Sequence, residues 1–189
     1  MKLLRLLLAG SGLGLLALAT GGCLKAPEYS TTPEISFNKI EHFPFDNATA
    51  QGDSVAVTIN FQDGDGDLGL TEDESKTHAG TQFANNYFVE PYIKVRGTGQ
   101  FVPVANYLPV SVGVTTPLIQ PRAYNSRYPH VSATTNNRSL PLKGTLTWGY
   151  SFVRYYPFSP GDEIRFEVSI ADRALHVSNT ITTASVVLK

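Results

Sequence analysis

Cysteine, tryptophan and methionine each occur once in 189 residues. A single thiol excludes an internal disulfide framework and any cysteine-based zinc cluster. Charge is scarce as well: 15 Lys+Arg and 16 Asp+Glu make up 16% of the chain and leave a net charge of −1. That balance excludes a generally basic nucleic-acid binder. There is no G-x-S-x-G, no H-E-x-x-H and no phosphate loop, so the common signatures of hydrolases and nucleotide enzymes are missing. The four histidines (His42, His78, His130, His176) have no metal-ligand spacing. After Cys23 no window of about eleven residues carries helical periodicity. Against these absences, 42% hydrophobic residues exclude a mainly disordered chain, and 16 Gly with 12 Pro favour strands joined by turns.

Long apolar runs are also lacking. Leu6 to Ala19 is fourteen apolar and small residues, only ~21 Å as a helix against a hydrocarbon core of ~30 Å. With Lys2 and Arg5 before it and small residues after it, residues 1–22 read as a secretory signal peptide. Gly21-Gly22-Cys23 resembles a bacterial lipobox, with Thr20 where Leu is usual. The resemblance implies that Cys23 is lipidated and becomes the new N-terminus, which makes the membrane a partner through the lipid anchor. Several acyl chains on one Cys anchor firmly. Residues 23–33 then form the lipidated Cys and a polar, Pro-bounded tether, and residues 34–189 the folded domain. Leu24, not Asp, follows Cys23, so nothing marks inner-membrane retention. An outer-membrane location is expected, with either the periplasmic or the external face.

Without residues 1–22 the chain has 167 residues and a net charge of −3, enough for a self-standing core. Two-residue alternation dominates it. Val55, Val57, Ile59 and Phe61 alternate with small polar residues; so do Leu146, Trp148, Tyr150 and Phe152, and Ile164, Phe166, Val168 and Ile170 alternate with charged ones. Each pattern predicts a half-buried strand. Weaker strands are expected at Glu34–Ile40, Tyr87–Arg96, Gln100–Asn106 and Ser178–Leu188. Gly97-Thr98-Gly99 predicts a hairpin turn, and Pro160-Gly161-Asp162 a turn feeding the Ile164 strand. About seven strands imply an all-β, immunoglobulin-like antiparallel β-sandwich with Trp148 packed in the absence of an intersheet disulfide. Two long loops, Gln62–Asn86 and Tyr107–Pro141, exceed what a minimal sandwich needs.

The first long loop is acidic. Asp63-Gly-Asp-Gly-Asp67 continues through Leu68 and Gly69 to Glu74, with six carboxylates in twelve residues. Alternate carboxylates separated by Gly curl around one centre and repel one another when empty, a repulsion that Ca²⁺ with its six to eight oxygen ligands removes. On EF-hand spacing Asp63, Asp65 and Asp67 fall at positions 1, 3 and 5, and Glu74 at position 12. Leu68 stands where the EF-hand has Gly, and a strand precedes the loop instead of a helix. The loop is therefore not an EF-hand but resembles the DxDxDG calcium loops of β-rich extracellular proteins. The expected ligands are Asp63, Asp65, Asp67 and Glu74, and the expected cofactor is a structural Ca²⁺. The turn Asp172 to Asn179 joins the last two strands. Asp172 approaches the acidic loop if the sheet ends coincide.

The near-zero net charge averages two opposed halves. Leu24–Glu90 has twelve acids and three bases, while Pro91–Gly161 has no acid, seven bases and seven of the nine Tyr. Arg122, Tyr124, Arg127 and Tyr128 cluster in the second long loop. Tyr and Arg on loops are the chemistry of protein-binding surfaces and sugar platforms, so these four are candidate ligand-binding residues for a protein or glycan partner. The plainer alternative is that the Tyr cover the sandwich ends and the Arg pair with acids of the other half.

The DGDGDLG run at the end of the TINFQD strand, together with DRALHVSNTITT (Asp172–Thr183), resembles lipoproteins of the Bacteroidota type. The resemblance implies a β-sandwich lipoprotein of the outer envelope and brings no activity with it. The expectation is a non-enzymatic, calcium-stabilised binding or structural module at the envelope. Alternatives are a glycan-uptake accessory that binds oligosaccharide and a metal-dependent hydrolase.

Overall fold

The structure, a computed structural model, describes residues 27–107, 122–131, 140–154 and 157–189. The expected signal peptide and Cys23 lie outside the described residues, as do parts of the second long loop. Eight strands are seen among the described residues, in two antiparallel sheets that pack face to face. One sheet has the order β1-β2-β5 and the other β4-β3-β6-β7, with β8 also paired to β6.

The first sheet is built on β2 (Gln51–Asp63), flanked by β1 (Glu34–Asp46) and β5 (Leu142–Val153). The alternation of β2 works as expected: Val55, Val57, Ile59 and Phe61 are buried. Strand β1 runs six residues past the expected Ile40, because Asn47 closes a hairpin that extends the pairing out to Asp46↔Gln51. The Asn47 Oδ1 accepts from the Thr49 N–H, the Thr49 hydroxyl and the Ala50 N–H at 2.8–3.0 Å, the local amide cap that Asn brings to turns.

The second sheet has β3 (Tyr87–Lys94) and β6 (Glu163–Ile170) at its centre, with β4 (Phe101–Pro103), β7 (Ile181–Thr182) and β8 (Val186–Val187) beside them. The expected hairpin lies between β3 and β4, and Gly97 at φ 91° and Gly99 at φ 70° take the left-handed conformations that suit glycine. Strand β4 ends at Pro103, shorter than expected, and gives way to a 3-10 turn over Val104–Asn106. The expected strand Ser178–Leu188 is broken into β7 and β8. At the break the Thr183 hydroxyl accepts from the Phe166 N–H at 3.0 Å, so a side chain takes over from the backbone ladder.

Inward residues of both sheets form the core. Trp148 is stacked on Tyr150 at 5.8 Å between ring centroids and tilted against Phe166 at 5.4 Å, and aromatic packing fills the place of an intersheet disulfide. Asn179 ties the sheets along one side. Its Oδ1 accepts from the Ile35 N–H and its Nδ2 donates to the Ile35 carbonyl, both at 2.9 Å. One helix, α1 (Glu72–Thr77), was not anticipated and sits inside the acidic loop. Among the described residues no helix is long and apolar enough to cross a membrane.

Candidate metal centre

Strand parity sets the site. Asp63 is the last residue of β2 and shares the inward face with Val57, Ile59 and Phe61, so a carboxylate is fully buried where the core alternation would place an aliphatic side chain. The chain then turns back on itself. Gly66 has φ 68°, and a Cβ there would stand 2.1 Å from the Leu140 carbonyl oxygen; Gly69 has φ 99°, with the Pro129 carbonyl 2.2 Å from the corresponding point. Only glycine fits this tight a return under neighbouring backbone. The result brings one carboxylate oxygen from each of Asp63, Asp65 and Asp67 within 4.8 Å of the others.

These three carboxylates are poorly compensated. Asp63 Oδ2 accepts from the Asp67 N–H at 3.2 Å, but Oδ1 of Asp63, Asp65 and Asp67 are all buried without a hydrogen-bond partner. Burial, and then the charges of Asp65 and Asp67, push the Asp63 carboxyl up to about 6. Asp67 is raised by burial first, then by Asp172, then by Asp65, against a smaller opposing effect of Arg173. Buried unpaired acceptors are costly and uncommon. Three that converge on one point fit a hard cation: ligand oxygens at ~2.3–2.6 Å from one ion lie at most ~5 Å apart. The donor set is all oxygen, as Ca²⁺ prefers.

Glu74, the expected fourth ligand, is placed elsewhere. It is the third residue of α1 and completes a capping box with Thr71. Its Oε2 accepts from the Thr71 N–H at 2.7 Å, while the Thr71 hydroxyl accepts from the Glu74 N–H at 3.2 Å. His130 Nε2 meets the same Oε2 at 2.8 Å. The Thr71 amide above all, and then the Thr71 hydroxyl and His130, hold the Glu74 carboxyl down at about 2. The Thr-x-x-Glu signature, legible as Thr71 to Glu74, starts a helix and engages the position-12 carboxylate in its cap, outside the group formed by the three aspartates.

The Tyr/Arg cluster is a strap under the acidic loop. Leu70 N–H donates to the Tyr128 carbonyl at 3.1 Å, Val131 N–H to the Leu68 carbonyl at 3.0 Å, and Arg127 to the Leu70 carbonyl at 2.8 Å. Tyr128 donates its hydroxyl to the Ala171 carbonyl at 3.3 Å. Tyr124 is buried against Tyr150 and Phe152. Arg122 is exposed, at φ 68°, and lines a shallow cleft together with Glu90 and Glu167.

Asn86 went unnoticed in sequence, and His130 stood out there only as a histidine without metal-ligand spacing. Asn86 grips the strap, with its Oδ1 accepting from the Tyr128 N–H at 2.9 Å and its Nδ2 donating to the Tyr128 carbonyl at 3.2 Å. His130 reaches Glu74 across 56 residues of chain. Neither has a local signal, since each partner is fixed only by the sandwich. Asp172 does approach the loop: it pairs with Leu68 in an antiparallel bridge and is 1% exposed.

Compared with protein-family models, curated proteins and solved structures, the chain gives no match.

Proposed function

We propose that this chain is an envelope-anchored lipoprotein whose β-sandwich holds one structural Ca²⁺ at Asp63, Asp65 and Asp67 and serves as a non-enzymatic binding or structural module. The observation that carries the metal reading is the gathering of three carboxylates, each of which keeps one buried oxygen without a hydrogen-bond donor. A bound divalent cation supplies the missing positive charge and fixes the loop. The loop in turn seats the strap through Leu68 and Leu70, and also holds the segment leading from the anchor, because the Gly64 N–H donates to the Ser30 carbonyl at 2.7 Å. The ion's role on this reading is architectural: it fixes a loop on which the strap and the segment after the anchor are both seated. Anchoring rests on the charged, apolar and small-residue sequence that ends at Cys23.

The test is calorimetric titration of the metal-free chain with Ca²⁺, alongside thermal melts in Ca²⁺ and in EDTA. One site is expected, and a hundredfold excess over Kd adds ~2.7 kcal/mol, or about 5–10 °C for a domain of this size. Absence of binding heat together with coincident melts refutes the metal reading. Anchoring is read separately, by incorporation of a labelled fatty acid that a Cys23→Ala variant abolishes.

A further inference from the structure

The cluster of three aspartates belongs wholly to the first sheet's side of the molecule, at the end of β2. A fourth carboxylate faces it from the other sheet. Asp172 lies two residues past the end of β6, and its side chain is completely buried. Two backbone contacts and one side-chain contact lock it there: the Leu68↔Asp172 bridge, the Arg173 N–H donating to the Asp67 carbonyl at 3.3 Å, and the Arg173 side chain donating through Nε to the same carbonyl at 3.1 Å.

The turn does not exhaust this carboxylate. Asp172 Oδ1 accepts the His176 N–H at 2.7 Å and Oδ2 meets His176 Nδ1 at 2.9 Å. Each oxygen thus has one partner, and an ionised carboxylate has about four acceptor positions. The ring paired with it is that of His176, and the neighbouring Arg173 has other partners. The Arg173 guanidinium is spent on the Asp67 backbone carbonyl and lies 3.8 Å from Glu74, and the His176 side chain is half exposed. A fully buried negative group set against three others, with acceptor capacity left over, has the same explanation as the orphaned oxygens beside it.

We propose that Asp172 is the fourth carboxylate of the metal centre, so that one divalent cation ties the end of β2 in one sheet to the turn after β6 in the other. The proposal rests on the calcium reading above and makes the ion a clamp between sheets, where three aspartates from one loop would only stiffen that loop. Asp172→Asn is the informative variant, because an Asn oxygen still accepts the His176 N–H and keeps the turn. In calorimetric titrations of the full chain, Asp172→Asn binds Ca²⁺ about 10–100-fold more weakly than the unaltered chain. Equal affinities overturn the fourth-ligand assignment and leave the calcium site standing. An unaltered chain that takes up no Ca²⁺ overturns both. Should Asp172→Asn fail to fold, carboxyl NMR of the unaltered, isotope-labelled chain decides. The Asp172 resonance is expected to move with those of Asp63, Asp65 and Asp67 at the same stoichiometry, and an Asp172 resonance that stays put while the other three move overturns the proposal.

Discussion

Strand β2 carries an aspartate at each end of its core face, Asp53 and Asp63, and the two solve burial in opposite ways. Asp53 is 4% exposed, and its Oδ1 accepts from His42 Nε2 at 2.5 Å and from the Lys189 backbone N–H at 3.0 Å. Asp63 is 0% exposed, has one oxygen without a donor, and sits beside two further acids in the same condition. Both positions follow from the same two-residue parity, so the strand alone does not explain the contrast. What differs is the company: one end receives a histidine from β1 and a backbone amide, and the other a backbone amide of its own loop and two more carboxylates. A buried carboxylate either finds donors within the chain or takes a cation from solution.

The contrast can be broken at each end. The largest effect is metal removal, the ~2.7 kcal/mol expected at a hundredfold excess of Ca²⁺, and it must vanish in an Asp63→Asn/Asp65→Asn double variant. Asp53→Ala comes next. It strands the His42 ring nitrogen and the Lys189 amide, for a loss of about 1–3 kcal/mol, equal in Ca²⁺ and in EDTA by chemical denaturation. A calcium-dependent loss at Asp53 would mean that the two ends are coupled, and the comparison would collapse. Thr71→Ala is smaller, about 1 kcal/mol through the lost helix cap, with Ca²⁺ affinity unchanged in calorimetry. A loss of affinity there would restore Glu74 to the ligand set.

The residues that announced themselves in sequence were those whose roles are local. The alternation of β2, β5 and β6 was legible because burial on one face of a strand repeats every second residue. The Asp-Gly-Asp-Gly-Asp run was legible because its three carboxylates converge through backbone turns within five residues. Glu74 was misplaced by a spacing rule that holds only when a particular loop shape follows, and the capping box overrode it. Arg127 and Tyr128 looked like a binding surface because Tyr and Arg serve equally well as struts. Their hydrogen bonds to Leu70 and Ala171 depend on which sheet ends meet, and no short window of sequence contains that. The split of the last strand into β7 and β8 was hidden for the same reason: Thr183 completes a ladder only because Phe166 lies opposite.

The smallest effects are those of pH, and they separate the loop's two kinds of carboxylate by sign. Glu74, with its pKa lowered to about 2 from an ordinary 4.5, contributes stability that is present above 4.5 and lost as pH falls toward 2. Asp63, raised to about 6 from 3.8, does the reverse in the metal-free chain: its contribution is full below 3.8 and is lost as pH rises through 6. In EDTA the melting temperature therefore rises as the acid range is left behind and falls again on approach to neutrality. Calcium removes the falling limb, because above pH 6 the ion takes the place of the proton that Asp63 has lost. Asp63→Asn should flatten that limb in EDTA and leave the rising one intact, and Glu74→Gln should do the opposite. If Asp63→Asn leaves the falling limb unchanged, the strain of the empty site does not reside at Asp63, and the difference between the two ends of β2 would have to be sought outside their carboxylates.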